Sequence, residues 1–353
     1  MVLSTISAPP PEQVLVFDEA RDGFDGVIVL HSTALGPAAG GCRLWHYGDR
    51  TAMTADACRL AQGMTYKNAL AGLPMGGGKA VLQRPSDPAL RQAGFSAFGR
   101  AVRALDGAYV TAEDVGTSVA DMNVVARETH YVAGLPPRAG RVGGDPSPAT
   151  ARGVFLAMQL AVRRRLEREL GDCTVAIQGV GHVGAALAAM LHAAGAKLII
   201  ADLDSSAAAR VAVALGAEIA SADAILRCKA DVLAPCALGG VLNAHTIGRL
   251  SAKVVCGAAN NQLADPAAAG MLADRGILYA PDFAVNAGGI INVAAEYFGW
   301  SPAAAAERVE QTPMRLNRVF ALAEQQGLST HDAAEALAQQ LIVAGSAESR
   351  SAA

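Results

Sequence analysis

What this 353-residue chain lacks narrows its class before any motif is considered. It has no block of basic residues, and its formal net charge is −3, so nothing favours nucleic acid or an anionic membrane as a partner. Its six cysteines (42, 58, 173, 228, 236 and 256) form no Cys-x-x-Cys pair and share no metal-ligand spacing with histidine. They read as reduced, mostly buried thiols in a cytoplasmic protein without a metal site. The N-terminus has neither a basic n-region nor an apolar core, which argues against a signal peptide. No run of about 18 apolar residues escapes interruption; residues 185–203 are broken by His192, Lys197 and Asp202. Internal repeats are also absent. What remains is 52 % hydrophobic and 17 % charged, enough apolar material for substantial cores and a length suited to two domains.

Residues 14–17 and 27–30 are short β-branched runs around a turn at 22–26, and neither run alternates. They predict a strand pair buried on both faces. Leu35-Gly36-Pro37-Ala38-Ala39-Gly40-Gly41 reads as a glycine-rich loop, either a plain turn or a display of backbone N–H groups to an anion. Helix-spaced apolar residues over 54–64 lead to Met64-Thr65-Tyr66-Lys67-Asn68, and Gly76-Gly77-Gly78 stands directly before Lys79. Two readings fit this stretch: surface lysines flanking a turn, or an anionic substrate held by one lysine with a proton handled by the other. The second draws on apolar surroundings, which lower a lysine pKa toward neutrality, and on glycines that allow positive φ and close approach of a ligand.

Next come a helix from 86–88 to about 105 and a strand from 109 running to Asp114. Asp114 either caps the following helix (118–127) or is freed for another role by Thr117 or Ser118. The Gly/Pro-rich residues 134–148 mark the crossing to a second domain. A helix over 150–170 follows, then strands from 174 and near 196–201, 231–234, 253–256 and 277–279, with alanine-rich helical pieces between them. That alternation predicts a parallel sheet covered by helices. Beyond Asn286 the chain reads as helical, with a start at 329–332 and a frayed end over 344–353.

Val175-Ala176-Ile177-Gln178-Gly179-Val180-Gly181-His182-Val183-Gly184 is a strand feeding Gly-x-Gly-x-x-Gly and a helix. The first glycine makes the tight turn, the second admits a pyrophosphate, and the third lets helix and strand pack closely. A second strand ends in Asp202, placed to bond ribose hydroxyls and repel a 2′-phosphate. Leu203 to Ser206 offer no cation, so NAD is expected rather than NADP. His182 occupies an unconstrained position of the fingerprint and reads as a surface or lining residue. The other histidines read as mostly solvated.

Taken together the motifs resemble the glutamate/leucine/phenylalanine/valine dehydrogenase family, in its branched-chain and aromatic amino-acid branch. The resemblance runs from about residue 12 to 345. It is carried by residues 36–41, 63–67, 76–79, 111–116, 234–237 and 257–261, by Tyr279-Ala280-Pro281-Asp282 and by Asn286-Ala287-Gly288-Gly289. It implies an α/β protein of two domains separated by an active-site cleft. Residues 1–140 would form a mixed α/β substrate-binding and oligomerisation domain, onto which a C-terminal helix (330–353) packs back. Residues 141–329 would form a Rossmann NAD-binding domain. The implied activity is reversible, NAD-dependent oxidative deamination of an apolar L-amino acid to a 2-oxo acid and ammonia, by a homo-oligomer.

Carried over by position, the resemblance implies that Lys67 and Asn261 hold the substrate carboxylate with backbone from Gly40 and Gly41. Lys79 would be the acid–base residue that activates water, and Asp114 would exchange protons with the amino group. Gly179, Val180, Gly181, His182, Val183, Gly184, Asp202, Leu203, Thr150, Arg43, Ala237, Ala259 and Asn260 would contact NAD. Ala39, Met64, Ala112, Ile290 and Val293 would line an entirely apolar side-chain pocket. Without a lysine there, glutamate is disfavoured; leucine comes first, with valine and phenylalanine next. Lys67 and Asn261 together argue against an amine dehydrogenase, and the intact motifs argue against the remaining alternative, a non-catalytic NAD-binding sensor.

Overall fold

A computed structural model describes residues 10–19, 24–137 and 140–351. Two compact units divide it: residues 1–137 together with 342–353, and residues 138–341.

The first unit holds a five-stranded mixed sheet made of β1 (Gln13–Glu19), β2 (Phe24–Ser32), β3 (Ala38–Trp45), β4 (Gly76–Gln83) and β5 (Tyr109–Glu113), in the order β1-β2-β4-β3-β5. β2 runs antiparallel to β1 and β4, whereas β3 is parallel to β4 and β5. Side chains of a strand alternate between faces, and the two faces of β2 are both covered. Val27 and Val29 meet Met53, Ala57, Leu60 and Ala61 of the helix Arg50–Leu70. Ile28 and Leu30 face a second core with Phe95, Phe98 and Val102 of the helix Arg91–Ala104. β1 departs from the expected two-sided burial. As the edge strand it packs Leu15 and Phe17 against that second core and leaves Val14 and Val16 42 % and 49 % exposed. The turn expected at 22–26 lies partly outside the described residues.

Two glycine-rich segments expected as loops are strands. Residues 38–41 belong to β3, and the three glycines before Lys79 open β4. None of these five glycines has a positive φ. Their small size is what the fold uses. A Cβ on Gly77 would lie 2.1 Å from the Thr65 nitrogen, and one on Gly40 would lie 1.9 Å from the Gly78 oxygen. The helix Arg50–Leu70 therefore seats directly on β4, and Asn68 Nδ2 fastens it by donating to the Gly76 oxygen at 2.5 Å. That helix runs further than the expected 54–64. Asp49 caps its start by accepting from the Ala52 N–H, and its last turn carries Lys67.

The second unit holds a parallel sheet of six strands: β6 (Thr174–Gln178), β7 (Lys197–Ala201), β8 (Glu218–Ile219), β9 (Val232–Pro235), β10 (Val254–Val255) and β11 (Leu278–Tyr279), in the order β11-β10-β9-β6-β7-β8. β8, two exposed residues at the edge, carries no pattern a sequence reading could detect. The order reverses at β6, which pairs with β7 on one side and β9 on the other. In open α/β sheets a ligand crevice forms at such a switch point, beyond the carboxyl ends of the strands. The long helix of this unit, Ser147–Leu166, ends four residues before the expected 170, at Glu167 with φ +54. Residues 344–351, expected to be frayed, continue the helix Thr330–Ser351, and 352–353 lie outside the described residues. Among the described residues no helix is long and apolar enough to cross a membrane.

Candidate active site

In the first unit the chemistry gathers on the helix-facing side of the sheet. Alternation along β4 gives Lys79 the same face as Gly77 and Val81, which meet the helix Arg50–Leu70. Lys79 is 5 % exposed, and its Nζ lies 2.7 Å from Oδ2 of Asp114, immediately after β5. β3 lies between these two strands. At Gly41 an added Cβ would sit 2.8 Å from the Asp114 Cβ and 2.7 Å from the Glu113 oxygen, so a glycine here leaves room for Asp114.

Asp114 is not the cap of the next helix. Ser118 does that work, in a reciprocal capping box with Asp121, while Thr117 Oγ1 receives the Asp114 N–H at 2.8 Å. Burial alone pushes the Asp114 carboxyl up, but Lys79 and Arg43 outweigh it and hold the group below the usual carboxylate range. Arg43 Nε stands 3.4 Å from Asp114 Oδ2, and its Nη1 donates to Asp56 at 3.1 Å. Asp56 also accepts from the Tyr47 hydroxyl and from Arg59, each at 2.6 Å. Asp56 and Tyr47 are supports that sequence reasoning missed: Asp56 reads only as an acid near a helix start, and its bond to Arg43 spans separate elements.

Lys67, half-buried, lies one turn beyond Met64 on the same helix. Met64 Cγ would be 3.1 Å from a Cβ on Gly40, so the structure brings Met64 to the Gly40–Gly41 backbone. Ala39 and Ala112 are buried on neighbouring strands. His31, one of the histidines read as mostly solvated, is buried, with Nδ1 2.9 Å from Thr65 Oγ1.

The second unit assembles the dinucleotide fingerprint at the switch point. Gly179 takes φ +96, and a Cβ there would meet Ala237, the residue after Cys236 beyond β9. A Cβ on Gly184 would be 2.0 Å from the Gly179 oxygen, which explains the close helix–strand packing. Gly181 differs from both. It is the N-cap of the helix His182–Ala193, makes no side-chain cap bond, and a Cβ there would meet nothing within 4 Å. Open space in front of uncapped helix N–H groups is what a pyrophosphate requires. Asp202 closes the turn by accepting from the Val180 N–H at 2.7 Å. Leu203 and His182 are exposed, and Val183 is half-buried. Thr150 stands beside Gly289, where a Cβ would meet its Oγ1 at 2.9 Å. Ile290 and Val293 are buried on the helix Gly288–Phe298.

Asn261 is one of three non-glycine residues with positive φ among those described. Buried side chains tie down the loop that carries it, together with Ala259 and Asn260. Gln262 Nε2 donates to the Gly257 and Ala259 oxygens at 2.9 and 3.1 Å, and Asn286 Nδ2 donates to the Ala258 oxygen at 3.0 Å and to Asn260 Oδ1 at 2.9 Å.

Known proteins match this arrangement along both units. Residues 11–131 match the model of the Glu/Leu/Phe/Val dehydrogenase dimerisation domain, and residues 144–212 and 203–348 match that of glutamate/leucine/phenylalanine/valine dehydrogenase. Leucine dehydrogenase of Geobacillus stearothermophilus is 44 % identical over 332 residues, covering 94 % of this chain and 90 % of that protein. Valine dehydrogenase of Streptomyces albus is 45 % identical over 336 residues, covering 93 % and 91 %. The crystal structure of L-tryptophan dehydrogenase from Nostoc punctiforme superposes with a TM-score of 0.82 at 38 % identity, covering 95 % of this chain and 97 % of that one. With its buried lysine–aspartate pair and its dinucleotide fingerprint, the chain belongs to the glutamate/leucine/phenylalanine/valine dehydrogenase family and is an amino-acid dehydrogenase.

Proposed function

We propose that the protein deaminates an apolar, leucine-type L-amino acid oxidatively and reversibly to its 2-oxo acid and ammonia, with NAD as the oxidant. The observation that carries the reading is the buried contact of Lys79 with Asp114, 2.7 Å, inside a chain of this family. Bound NAD would supply the hydride acceptor for the substrate Cα. Every other task falls to the chain's own residues. Lys67, a fixed cation, and Asn261, an amide donor, bind the substrate carboxylate and so orient Cα. Asp114, kept ionised by its two cationic neighbours, takes a proton from the substrate ammonium. Once Lys79 has released its own proton to solvent, its neutral Nζ takes one from the water that adds to the imine carbon and returns it as ammonia leaves. Gly40 and Gly41 contribute backbone to the carboxylate.

The residues present fit NAD. Gly181 leaves the helix N-terminus open, Asp202 supplies an acceptor for ribose hydroxyls, and Asp204 adds a second acid where a 2′-phosphate would need a cation. Thr150, Arg43, Ala237, Ala259, Asn260 and the fingerprint residues are the further cofactor contacts in this reading. Ala39, Met64, Ala112, Ile290 and Val293 receive the side chain, and relatives named for leucine, valine and tryptophan support an apolar substrate. A homo-oligomer is supported by the family description of the first domain as a dimerisation domain and by the exposed valines of edge strand β1. Six free cysteines support a cytoplasmic location. The test is NADH formation with leucine, valine and phenylalanine at alkaline pH, and comparison with a Lys79→Ala variant. That variant is expected to keep NAD affinity and lose turnover; equal activity sinks the assignment.

A further inference from the structure

Tyr279-Ala280-Pro281-Asp282 stands apart from the residues assigned to substrate and cofactor. Asp282 opens the short helix Asp282–Val285 yet leaves its N-cap without a side-chain bond. Asp282 is 5 % exposed, and its carboxylate turns to the loop that carries Asn261. Oδ2 accepts the backbone N–H of Asn261, and Oδ1 accepts the Tyr279 hydroxyl at 3.1 Å. Tyr279 is itself locked. It is 2 % exposed, its hydroxyl also accepts the Asp282 N–H at 3.3 Å, and its carbonyl accepts Thr330 Oγ1 at 2.7 Å. Burial, with the Asp282 charge adding to it, pushes the Tyr279 phenol up, so it stays neutral and donates.

Asn261 needs such a grip. Its φ of +52 lies in the left-handed region, which side chains other than glycine adopt at a cost, eased for asparagine. On its far side the Asn261 carbonyl accepts the Gly240 N–H at 2.7 Å. With the N–H and the carbonyl both held, the backbone at 261 has one conformation, and its side-chain amide one direction of departure.

We infer that Asp282 is a positioning residue: through its bond to the Asn261 N–H it fixes the left-handed backbone that aims the Asn261 amide at the substrate carboxylate. The inference rests on the carboxylate-binding role proposed for Asn261. A carboxylate suits the task because a charged acceptor roughly doubles the strength of the bond to a backbone N–H, and because its two oxygens serve Asn261 and Tyr279 at once.

The test is a two-by-two set of full-length enzymes, wild type, Asp282→Ala, Asn261→Gly and the double variant, each assayed for amino-acid KM, kcat and NAD affinity. Glycine at 261 removes the amide while suiting the positive φ. Asp282→Ala is expected to raise amino-acid KM about tenfold, with kcat and NAD affinity within about threefold. In the Asn261→Gly background the same change adds less than about twofold, because the amide it acts through is gone. Asp282→Asn, which retains one acceptor oxygen, is expected to bring KM back to within about threefold of wild type, and Asp282→Leu, which has no acceptor, runs the same cycle if the alanine variant does not fold. An equal KM increase in both backgrounds, or none in either, overturns the inference alone. A wild-type KM for Asn261→Gly overturns the role of Asn261, and the inference with it.

Discussion

Removing the carboxylate of Asp114 while keeping its shape, as Asp114→Asn, leaves Lys79 as a nearly buried cation with its anion gone. At 2.7 Å and an effective dielectric of about 20, the direct attraction is roughly 6 kcal/mol before desolvation is subtracted. Breaking a buried pair on one side costs about 3–5 kcal/mol, because the surviving charge is stranded. Arg43, 3.4 Å from the same oxygen, loses a partner too but keeps Asp56, so the lower half of that range is expected. Lys79→Met alone should cost a similar amount, leaving Asp114 with Arg43 only. The double variant removes both charges and should be less destabilised than the sum of the singles by about 2 kcal/mol or more. Urea unfolding of the four proteins, followed by fluorescence and circular dichroism, reads this directly. Acid supplies a second axis. The folded Asp114 carboxyl lies below its ordinary value, so its contribution is complete above about pH 4 and disappears as pH falls through the folded pKa. Single substitutions costing under about 1 kcal/mol, with coupling near zero, would refute the claim that this is a desolvated ion pair.

The two other glycines of the dinucleotide turn should separate binding from folding. Gly181→Ala meets no atom within 4 Å and should leave melting nearly unchanged while weakening NAD binding, measured by calorimetry, by about tenfold or more. Gly184→Ala drives a Cβ to 2.0 Å from the Gly179 oxygen and should destabilise by about 1–3 kcal/mol in thermal melts. Asp202→Ala should lower the ratio of kcat/KM for NAD over NADP; an unchanged ratio removes Asp202 from cofactor choice. For His331, burial lowers the imidazole pKa, but Glu335, Asp282 and Asp332 outweigh it and leave it raised. Its charged form therefore stabilises fully below about pH 6.5, and that contribution fades as pH rises through the raised value. The melting-temperature gap between wild type and His331→Gln should be wider at pH 6 than at pH 9.

Features encoded by local spacing were legible in the sequence. Gly179, Gly181 and Gly184 announce a strand, a turn and a helix, because the positive φ of Gly179, the helix start at Gly181 and the approach of Gly184 to the Gly179 oxygen all fall within six residues of chain. The buried β2 was legible in its unbroken β-branched run, but the same run in β1 was misleading, since a strand's place at the sheet edge is decided by its neighbours. Glycine itself was ambiguous. Gly76 to Gly78 suggested positive φ in a loop, whereas they lie in a strand and are small because Thr65, Ser32 and Tyr109 press on them. Lys79 and Asp114 were singled out from the sequence and the structure brings them together, but the Arg43–Asp56–Tyr47 chain behind them was not foreseen, nor the hold of Asp282 on Asn261, 21 residues away. Such supports depend on contacts between elements, and an acid at an element's end looks the same whether it caps or props.

The most direct test of the account is initial-rate NADH formation by the purified protein across leucine, valine, phenylalanine, tryptophan and glutamate, with leucine repeated on Lys79→Ala. The expected result is turnover of the apolar amino acids with leucine or valine foremost, no useful rate with glutamate, and loss of turnover in the variant despite retained NAD binding. Glutamate as the preferred substrate, or a Lys79→Ala variant as fast as the wild type, would contradict it.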